Sequence, residues 1–205
     1  MQQLPLAISA APAPTFRNFV EGANAEALQR VRELAEGRLR EAVVYLWGAP
    51  GSGRSHLLRA AAGAATPERG LTVADDVEAL DAPAQISLFN AINRAREGSG
   101  AVLAAGKAPP GQLALRDDLR SRLGWGLVYQ LKALTDEDKA RHLRAEAEQR
   151  GLRIPDEVIW YLLKRLPRDL PSLNSAIEVL DSYSLSRQRH ITVPLVREAL
   201  KIGNQ

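Results

Sequence analysis

The sequence predicts an α/β fold in which a parallel sheet with helical crossovers is followed by an all-helical unit. Short apolar runs alternate with helical patterns as far as residue 131, which is typical of parallel sheets with right-handed crossovers. A glycine-rich loop joins the first of these runs to a helix. From residue 135 onward no further strand pattern occurs, and helical patterns follow one another to the end.

The composition narrows the class of protein. With 205 residues and 45% hydrophobic content, the chain can bury a sizeable core. Its 27 basic and 24 acidic residues are interleaved and leave a net charge of only +3, so nucleic-acid binding is not implied. The absence of cysteine excludes disulfides, thiolate zinc sites and cysteine nucleophiles, and it fits a cytoplasmic location. No signal peptide or membrane-spanning run is indicated.

The first 14 residues are predicted to be a flexible tail. They carry no charged side chain and contain three prolines, which disfavour regular structure. Within them Gln3, Leu4 and Leu6 lie on an extended, proline-stiffened segment that suits docking into pockets of a partner. The alternative is a segment that folds onto its own domain.

Residues 24–38 predict the first helix, with Asn24 as its cap and Gly37 at its end. Residues 43–47 predict the first strand, which leads into a loop of the pattern G-x-x-x-x-G-R-S and then a helix over residues 55–65. This pattern is a Walker A loop with Arg54 in place of the usual lysine. Its backbone N–H groups and the helix N-terminus would bind phosphate, with the Ser55 hydroxyl on Mg²⁺. An ordinary glycine turn is the alternative.

A second strand over residues 71–74 ends in Asp75 and Asp76, at the edge where parallel sheets bind ligands. Asp75 is the candidate Walker B acid that holds Mg²⁺ through water. Asp76 would orient the attacking water, unless the two acids merely cap a turn.

The rest of the sheet follows the same alternation. Residues 81–96 predict a helix, with Ile86, Leu88, Phe89 and Ile92 at helical spacing. Strands are predicted over residues 101–105 and 127–131, with a short helix over residues 115–123 between them.

The C-terminal third predicts four helices. They cover residues 136–149, a segment opened by Pro155, residues 173–187 with Ile177, Leu180 and Leu185, and residues 193–202. A bundle of about 70 residues is small for independent stability, so we expect it to pack on the α/β part, over the nucleotide crevice.

The phosphate loop, the acidic strand tip, Ser121-Arg122-Leu123-Gly124-Trp125-Gly126 and Arg168 occur in one order. In this the chain resembles the AAA+ ATPases of the DnaA type, and among them the family of DnaA regulatory inactivators, Hda. Arg54 in the phosphate loop is similar to that family's loop, and the segment around Gln3 resembles its clamp-binding peptide. The chain also stops after the helical lid, without the DNA-binding helix-turn-helix domain of DnaA.

The resemblance implies roles for individual residues. Arg122 matches the arginine finger, which reaches the nucleotide of another subunit; an ion pair with Asp118 four residues earlier is the alternative. Asp76 stands where many AAA+ proteins have the longer glutamate. The remaining implied nucleotide contacts, for ADP or ATP with Mg²⁺, are Phe19, Val20, Gly48, Pro50, Gly51, Ser52, Gly53, Arg54, Ser55, His56, Asp75 and Arg168.

Two departures from the family pattern have consequences. Residues 104–107 read Ala-Ala-Gly-Lys and offer no small polar side chain at the sensor 1 position, which puts intrinsic hydrolysis in doubt. Only about twenty residues separate Ser55 from Asp75, so one strand and one helix of the family are missing. The expected sheet therefore has four strands in the order 4-1-3-2 by chain numbering.

The resemblance implies three domains: the tail at residues 1–14, an AAA+ α/β domain at 15–132 and a helical lid at 133–205. It implies a negative regulator of replication initiation that holds ADP and docks on the sliding clamp, the β subunit of DNA polymerase III. This regulator would stimulate ATP hydrolysis by DnaA rather than catalyse strongly itself, with no direct DNA-binding domain and no membrane contact. The resemblance is also compatible with a homodimer. The alternative is a small self-assembling AAA+ ATPase or DnaA-like loader that hydrolyses ATP itself.

Overall fold

The computed structural model of the chain describes residues 12–66, 70–187 and 189–200. The predicted docking residues Gln3, Leu4 and Leu6 lie outside this range. So do part of the turn before the second strand and the predicted end of the last helix at Ile202.

The sheet has four parallel strands in the order β2-β3-β1-β4. These are β1 (Val43–Trp47), β2 (Leu71–Ala74), β3 (Ala101–Gly106) and β4 (Leu127–Gln130). The predicted α/β class and strand order are confirmed. The two central strands are the most buried, because helices cover them on both faces.

Four helices cover the two faces of the sheet. They are α1 (Ala25–Ala35), α2 (Arg54–Ala64), α3 (Ala82–Arg96) and α4 (Asp117–Leu123). Val44 and Leu46 of β1 pack with α1 and α2, whereas Val43 and Tyr45 pack with α3 and α4, as the alternation of side chains along a strand requires. Ile86 of α3 is 44% exposed and lies off the buried face. Short 3₁₀ turns occur at Val77–Ala79 and Pro110–Gln112.

The C-terminal helices enclose a hydrophobic core of their own. They are α5 (Asp136–Gln149), α6 (Asp156–Arg165), α7 (Leu170–Arg187) and α8 (Val193–Leu200). Leu143, Leu162, Ile177 and Val196 are fully buried there. Leu185 is 71% exposed, so the buried stripe of α7 ends before it. None of the described helices is long and apolar enough to cross a membrane.

Asn24 ties the start of α1 to the segment between β4 and α5. Its side-chain amide donates to the Lys132 carbonyl at 2.9 Å, and its side-chain oxygen accepts from the Lys132 N–H at 2.8 Å. Asn24 is the N-cap residue of α1, as the sequence predicts, but its side chain makes no capping hydrogen bond. Its two hydrogen bonds instead join the start of α1 to Lys132.

Candidate functional site

The phosphate loop has the backbone shape that its glycines predict. Gly51 and Gly53 adopt left-handed conformations with φ of +79° and +96°, and α2 begins directly afterwards at Arg54. A Cβ at Gly53 would lie 2.6 Å from Cε2 of Phe19. Glycine is therefore required at this position both for the turn and for the approach of Phe19.

Two polar atoms in this loop are buried without a hydrogen-bond partner in the described part of the chain: Oγ of Ser52 and Nη1 of Arg54. Ser52 is only 6% exposed. Buried polar groups are normally paired, because an unpaired one costs about 1–3 kcal/mol. A phosphate oxygen would satisfy both atoms, and the positive end of α2 favours an anion here. The loop therefore fits a nucleotide phosphate.

Arg54 also contacts the acidic tip of β2. Its Nη2 lies 3.2 Å from Oδ1 of Asp76, and its side chain is only 12% exposed. Asp76 has a φ of +44° and is the sole described residue other than glycine with a positive φ. The Asp76 carboxylate thus contacts the guanidinium group of Arg54 at the tip of β2.

Asp75 and Ser55 are the predicted magnesium residues. Oδ1 of Asp75 accepts a hydrogen bond of 3.0 Å from the N–H of Asp76, which holds the carboxylate at the strand tip. Ser55 lies in the first turn of α2. No group of three or more metal-ligating His, Cys, Asp or Glu side chains occurs in the described ranges. Mg²⁺ binds with few protein ligands when phosphates and waters supply the others, so these two residues fit a nucleotide-bound ion.

Phe19 and Val20, the predicted base contacts, line a cavity of about 880 Å³ between the α/β domain and the lid. His56 lines it as well, with its ring centre 5.4 Å from that of Phe19 and its Nε2 2.9 Å from the Thr15 carbonyl oxygen. The lid contributes His142 and Asn174, which are hydrogen-bonded at 3.0 Å. Both sides of the cavity are lined by polar and apolar side chains, with Arg17 and Glu21 near Phe19 and with Leu170 and Pro171 on the lid.

A cluster at the end of β3 was not predicted from the sequence. The Tyr45 hydroxyl donates to the Ala108 carbonyl at 2.8 Å, and the Glu78 carboxylate accepts from the Lys107 N–H at 3.2 Å. A Cβ at Gly106 would overlap the Tyr45 hydroxyl and lie 2.8 Å from Oε2 of Glu78. Burial, and then the charge of Glu78, raise the pKa of Tyr45 well above its usual range. A tyrosine hydroxyl within an apolar strand was the signal available.

Arg168, the predicted sensor 2 residue, lies in the turn before α7. Its Nη1 is 3.6 Å from Oδ2 of Asp136, and its side chain is 66% exposed. It does not line the cavity beside Phe19. The next residue, Asp169, accepts hydrogen bonds from the N–H and hydroxyl of Ser172 at 2.8 and 2.9 Å, which lower the pKa of its carboxyl.

Arg122 packs against aromatic rings in the last turn of α4. Its guanidinium carbon lies 3.9 Å from the ring centre of Trp125 and 5.1 Å from that of Phe89. The predicted alternative, an ion pair with Asp118, is wrong, because Asp118 pairs with Arg116 at 2.7 Å. No carboxylate within the described residues is in ion-pair contact with Arg122.

The helical region matches the family described as the Hda lid domain, over residues 136–200. The fold is similar to domain III of the replication initiation protein DnaA from Thermotoga maritima, with a TM-score of 0.72 and 22% identity over 95% of this chain and 99% of that one. AMPPCP-bound DnaA from Aquifex aeolicus gives a TM-score of 0.69 and 21% identity over 86% and 67%.

A variant of RuvB from Thermotoga maritima is also similar, with a TM-score of 0.64 and 17% identity over 92% of this chain and 72% of that one. These likenesses establish the fold of the α/β domain and lid together, and the family match places the lid within one family. The chain therefore has the fold of domain III of DnaA, and its residues 136–200 match the lid domain of the Hda family.

Proposed function

We propose that this chain is a regulator of replication initiation that binds nucleotide and stimulates ATP hydrolysis by a DnaA-type partner. Arg122 acts as an arginine finger on the partner's nucleotide. A guanidinium group supplied in trans stabilises the charge of the phosphoryl-transfer transition state and accelerates hydrolysis by about 10³–10⁵. Stimulating DnaA in this way makes the chain a negative regulator of initiation.

The observation that carries the proposal is the contrast between the contacts of two side chains. Arg122 contacts the rings of Trp125 and Phe89 and makes no ion pair with a carboxylate of the described residues, so its positive charge is uncompensated and available to a partner's phosphate. Asp76, which would have to orient the water for intrinsic hydrolysis, faces Arg54 instead. The chain is therefore better equipped to complete another protein's active site than to use its own.

The nucleotide is assigned to this chain's own phosphate loop. The unpartnered Ser52 and Arg54 atoms support a phosphate there, and the similar DnaA from Aquifex aeolicus is described as bound to AMPPCP. We assign ADP as the resting nucleotide, with Mg²⁺ held through Ser55 and Asp75. We propose that it stabilises the α/β domain and lid as one unit, because residues of both parts line the cavity beside Phe19.

The clamp is the second partner. Gln3, Leu4 and Leu6 form the docking peptide for the sliding clamp, the β subunit of DNA polymerase III. Docking would raise the effective concentration of this chain near DnaA on the same DNA. The cytoplasmic location stays a prediction.

The decisive experiment measures ATP hydrolysis by purified DnaA in the presence of DNA-loaded clamp and this chain. Arg122→Ala should abolish the stimulation, because it removes the transition-state charge, while folding and clamp binding remain. Arg120→Ala is the matched control, since Arg120 lies on the same helix and pairs with Asp117. Unchanged stimulation by Arg122→Ala would refute the proposal.

Clamp docking has a separate test. Replacing Gln3, Leu4 and Leu6 together with alanine should remove binding to the purified clamp and leave the thermal stability of the chain unchanged. Binding that persists would place the docking site elsewhere.

A self-assembling ATPase is the second candidate, favoured by the complete phosphate loop and the two acids at the tip of β2. Here Arg122 would serve a sister subunit. Steady-state hydrolysis by the purified chain separates the candidates: turnover that rises with protein concentration favours the ATPase, and negligible turnover favours the regulator.

A further inference from the structure

The surface around Arg122 contains a second arginine that contacts the same tryptophan. The guanidinium carbon of Arg96 lies 4.1 Å from the Trp125 ring centre, and that of Arg122 lies 3.9 Å from it. Trp125 is nevertheless 50% exposed. One indole ring is thus shared by two cations that come from the ends of two helices, α3 and α4.

The backbone holds this indole in place. The Trp125 N–H donates to the Arg122 carbonyl at 3.1 Å, so Trp125 and Arg122 lie in the same turn of the backbone. Leu119 and Leu123 anchor α4 with fully buried side chains. On the far side, a Cβ at Gly126 would overlap the Val43 carbonyl, which shows how closely this segment packs on β1.

Helix α3 supplies the other side of the arrangement. Phe89 and Arg96 are seven residues apart and therefore lie on the same helical face, where Phe89 contacts Arg122 and Arg96 contacts Trp125. Arg94 lies on a different face, and its side chain makes no ion pair, hydrogen bond or ring contact with the described residues. Two neighbouring arginines of one helix thus differ in whether they reach the tryptophan.

We propose that Trp125, braced by Arg96, is a positioning residue that holds the Arg122 guanidinium for contact with a partner's phosphate. An aromatic ring leaves the positive charge of a guanidinium uncompensated, whereas a carboxylate in an ion pair compensates it. The ring also limits the rotamers of a long flexible side chain, so less entropy is lost on engaging the phosphate. This inference rests on the proposed role of Arg122 as a finger in trans.

The test compares Trp125→Leu, which keeps an apolar side chain and removes the aromatic face, with Trp125→Phe, which keeps a smaller aromatic face. Trp125→Leu should lower the maximal stimulated rate of DnaA ATP hydrolysis about two- to fivefold, the worth of an exposed cation–π contact. The concentration for half-maximal stimulation should not change, and Trp125→Phe should recover most of the rate. Trp160→Leu, at the other half-exposed tryptophan, is the control.

The role of Arg96 is tested by comparing two arginine variants of α3. Arg96→Ala should lower the maximal rate about twofold, and Arg94→Ala should leave it unchanged. Equal behaviour of the two variants would overturn the bracing role of Arg96. A Trp125→Leu variant that changes only the half-maximal concentration would make Trp125 a direct docking contact and overturn the positioning role.

Nuclear magnetic resonance provides a readout that does not depend on DnaA. The side-chain Nε–Hε signal of Arg122, identified by its loss in Arg122→Ala, should be shifted upfield by the indole ring current. It should move toward the position of a solvated arginine in Trp125→Leu. An unshifted signal beside full stimulation would refute this inference alone, whereas a parent chain that gives no stimulation would refute the proposed function.

Discussion

Arg54 and Arg122 are the two arginines on which the proposed function depends, and their surroundings differ. Arg54, at the end of the phosphate loop, is nearly buried and pairs with the carboxylate of Asp76 at the tip of β2. Arg122, in the last turn of α4, is partly buried and contacts Trp125 and Phe89. A carboxylate compensates the charge of a guanidinium group, whereas a ring restrains the group and leaves its charge uncompensated. This difference agrees with the two proposed roles, of Arg54 toward the chain's own nucleotide and of Arg122 toward that of a partner.

The largest expected effect comes from Gly126→Ala, on the Arg122 side. The new Cβ would overlap the Val43 carbonyl and lie 2.8 Å from its carbon, and neither backbone can yield cheaply. We expect a loss of about 2 kcal/mol in the free energy of unfolding and at least a tenfold loss of DnaA stimulation, with ADP affinity retained. Denaturant titration, the ATPase assay and calorimetry measure the three quantities.

Gly124→Ala is its control, since that Cβ would be 3.4 Å from the Ser121 carbonyl oxygen, near ordinary contact. If Gly126→Ala left the stimulation intact, the close packing of this turn would not determine the position of Arg122.

Gly53→Ala should have the opposite effects to Gly126→Ala, because ADP affinity should fall while the stimulation of DnaA is retained. A φ of +96° costs a residue with a side chain about 1–2 kcal/mol, and the Cβ would also press on Phe19. We expect ADP affinity, measured by calorimetry, to fall about tenfold. In Gly51→Ala the backbone strain is present but no protein atom lies within 4 Å, so the Phe19 contact distinguishes Gly53→Ala from Gly51→Ala within the protein. A Gly53→Ala chain with parental ADP affinity would contradict the assigned site.

Arg54→Lys probes the pairing with Asp76. A guanidinium group can hold Asp76 with one nitrogen and a diphosphate with the other, whereas an ammonium is a single point charge. We expect the ratio of ADP to ATP affinity to fall severalfold in calorimetric titrations with each nucleotide. Arg59→Lys, at an exposed position of the same helix, should leave the ratio unchanged, and an unchanged ratio in Arg54→Lys would show that the guanidinium does not select the diphosphate.

The smallest expected effect lies in the lid, at the start of α5. Asp138 and Thr135 form a reciprocal cap, with Thr135 accepting from the Asp138 N–H at 3.1 Å. Hydrogen bonds from the Thr135 hydroxyl and N–H lower the pKa of Asp138. Asp138→Asn should therefore cost about 1 kcal/mol at neutral pH, by thermal or chemical denaturation.

The stability cost of Asp138→Asn should decrease as the pH falls. Because the native pKa is the lower one, the stabilisation is present above the unfolded carboxyl's value of about 3.9. It is lost as the pH falls through the native value. The parent and Asp138→Asn curves should therefore converge at low pH, and Glu137→Gln should show no such convergence. Parallel curves down to acid pH would exclude this carboxylate as the source.

The phosphate loop and the sheet were predictable because their signals are local. The glycine spacing, the preceding apolar strand and the following helix lie within thirteen consecutive residues. The strand order followed from the shortened segment between Ser55 and Asp75 once the family resemblance was applied. The exposed positions of Ile86 and Leu185 were not predictable, because helical spacing alone does not show where a buried face ends.

The wrong alternative for Arg122 shows the limit of spacing rules. Asp118 is correctly placed four residues earlier, but it pairs with Arg116. Helix α4 ends at Leu123, so the chain turns back and brings Trp125 onto Arg122. Arg122 therefore contacts the ring of Trp125, three residues later, and not the carboxylate of Asp118, four residues earlier.

The sequence by itself determined the residue types at the nucleotide site, the alternation of strands and helices, and the separate helical lid, because each depends on neighbours along the chain. Only the tertiary structure decided which side chains meet. It paired Arg54 with Asp76, placed Glu78 and Tyr45 beside Gly106, tied Asn24 to Lys132 and brought Arg96 to Trp125. The physical reason is that these contacts join residues brought together by the order of strands and the packing of helices, and no local periodicity encodes them.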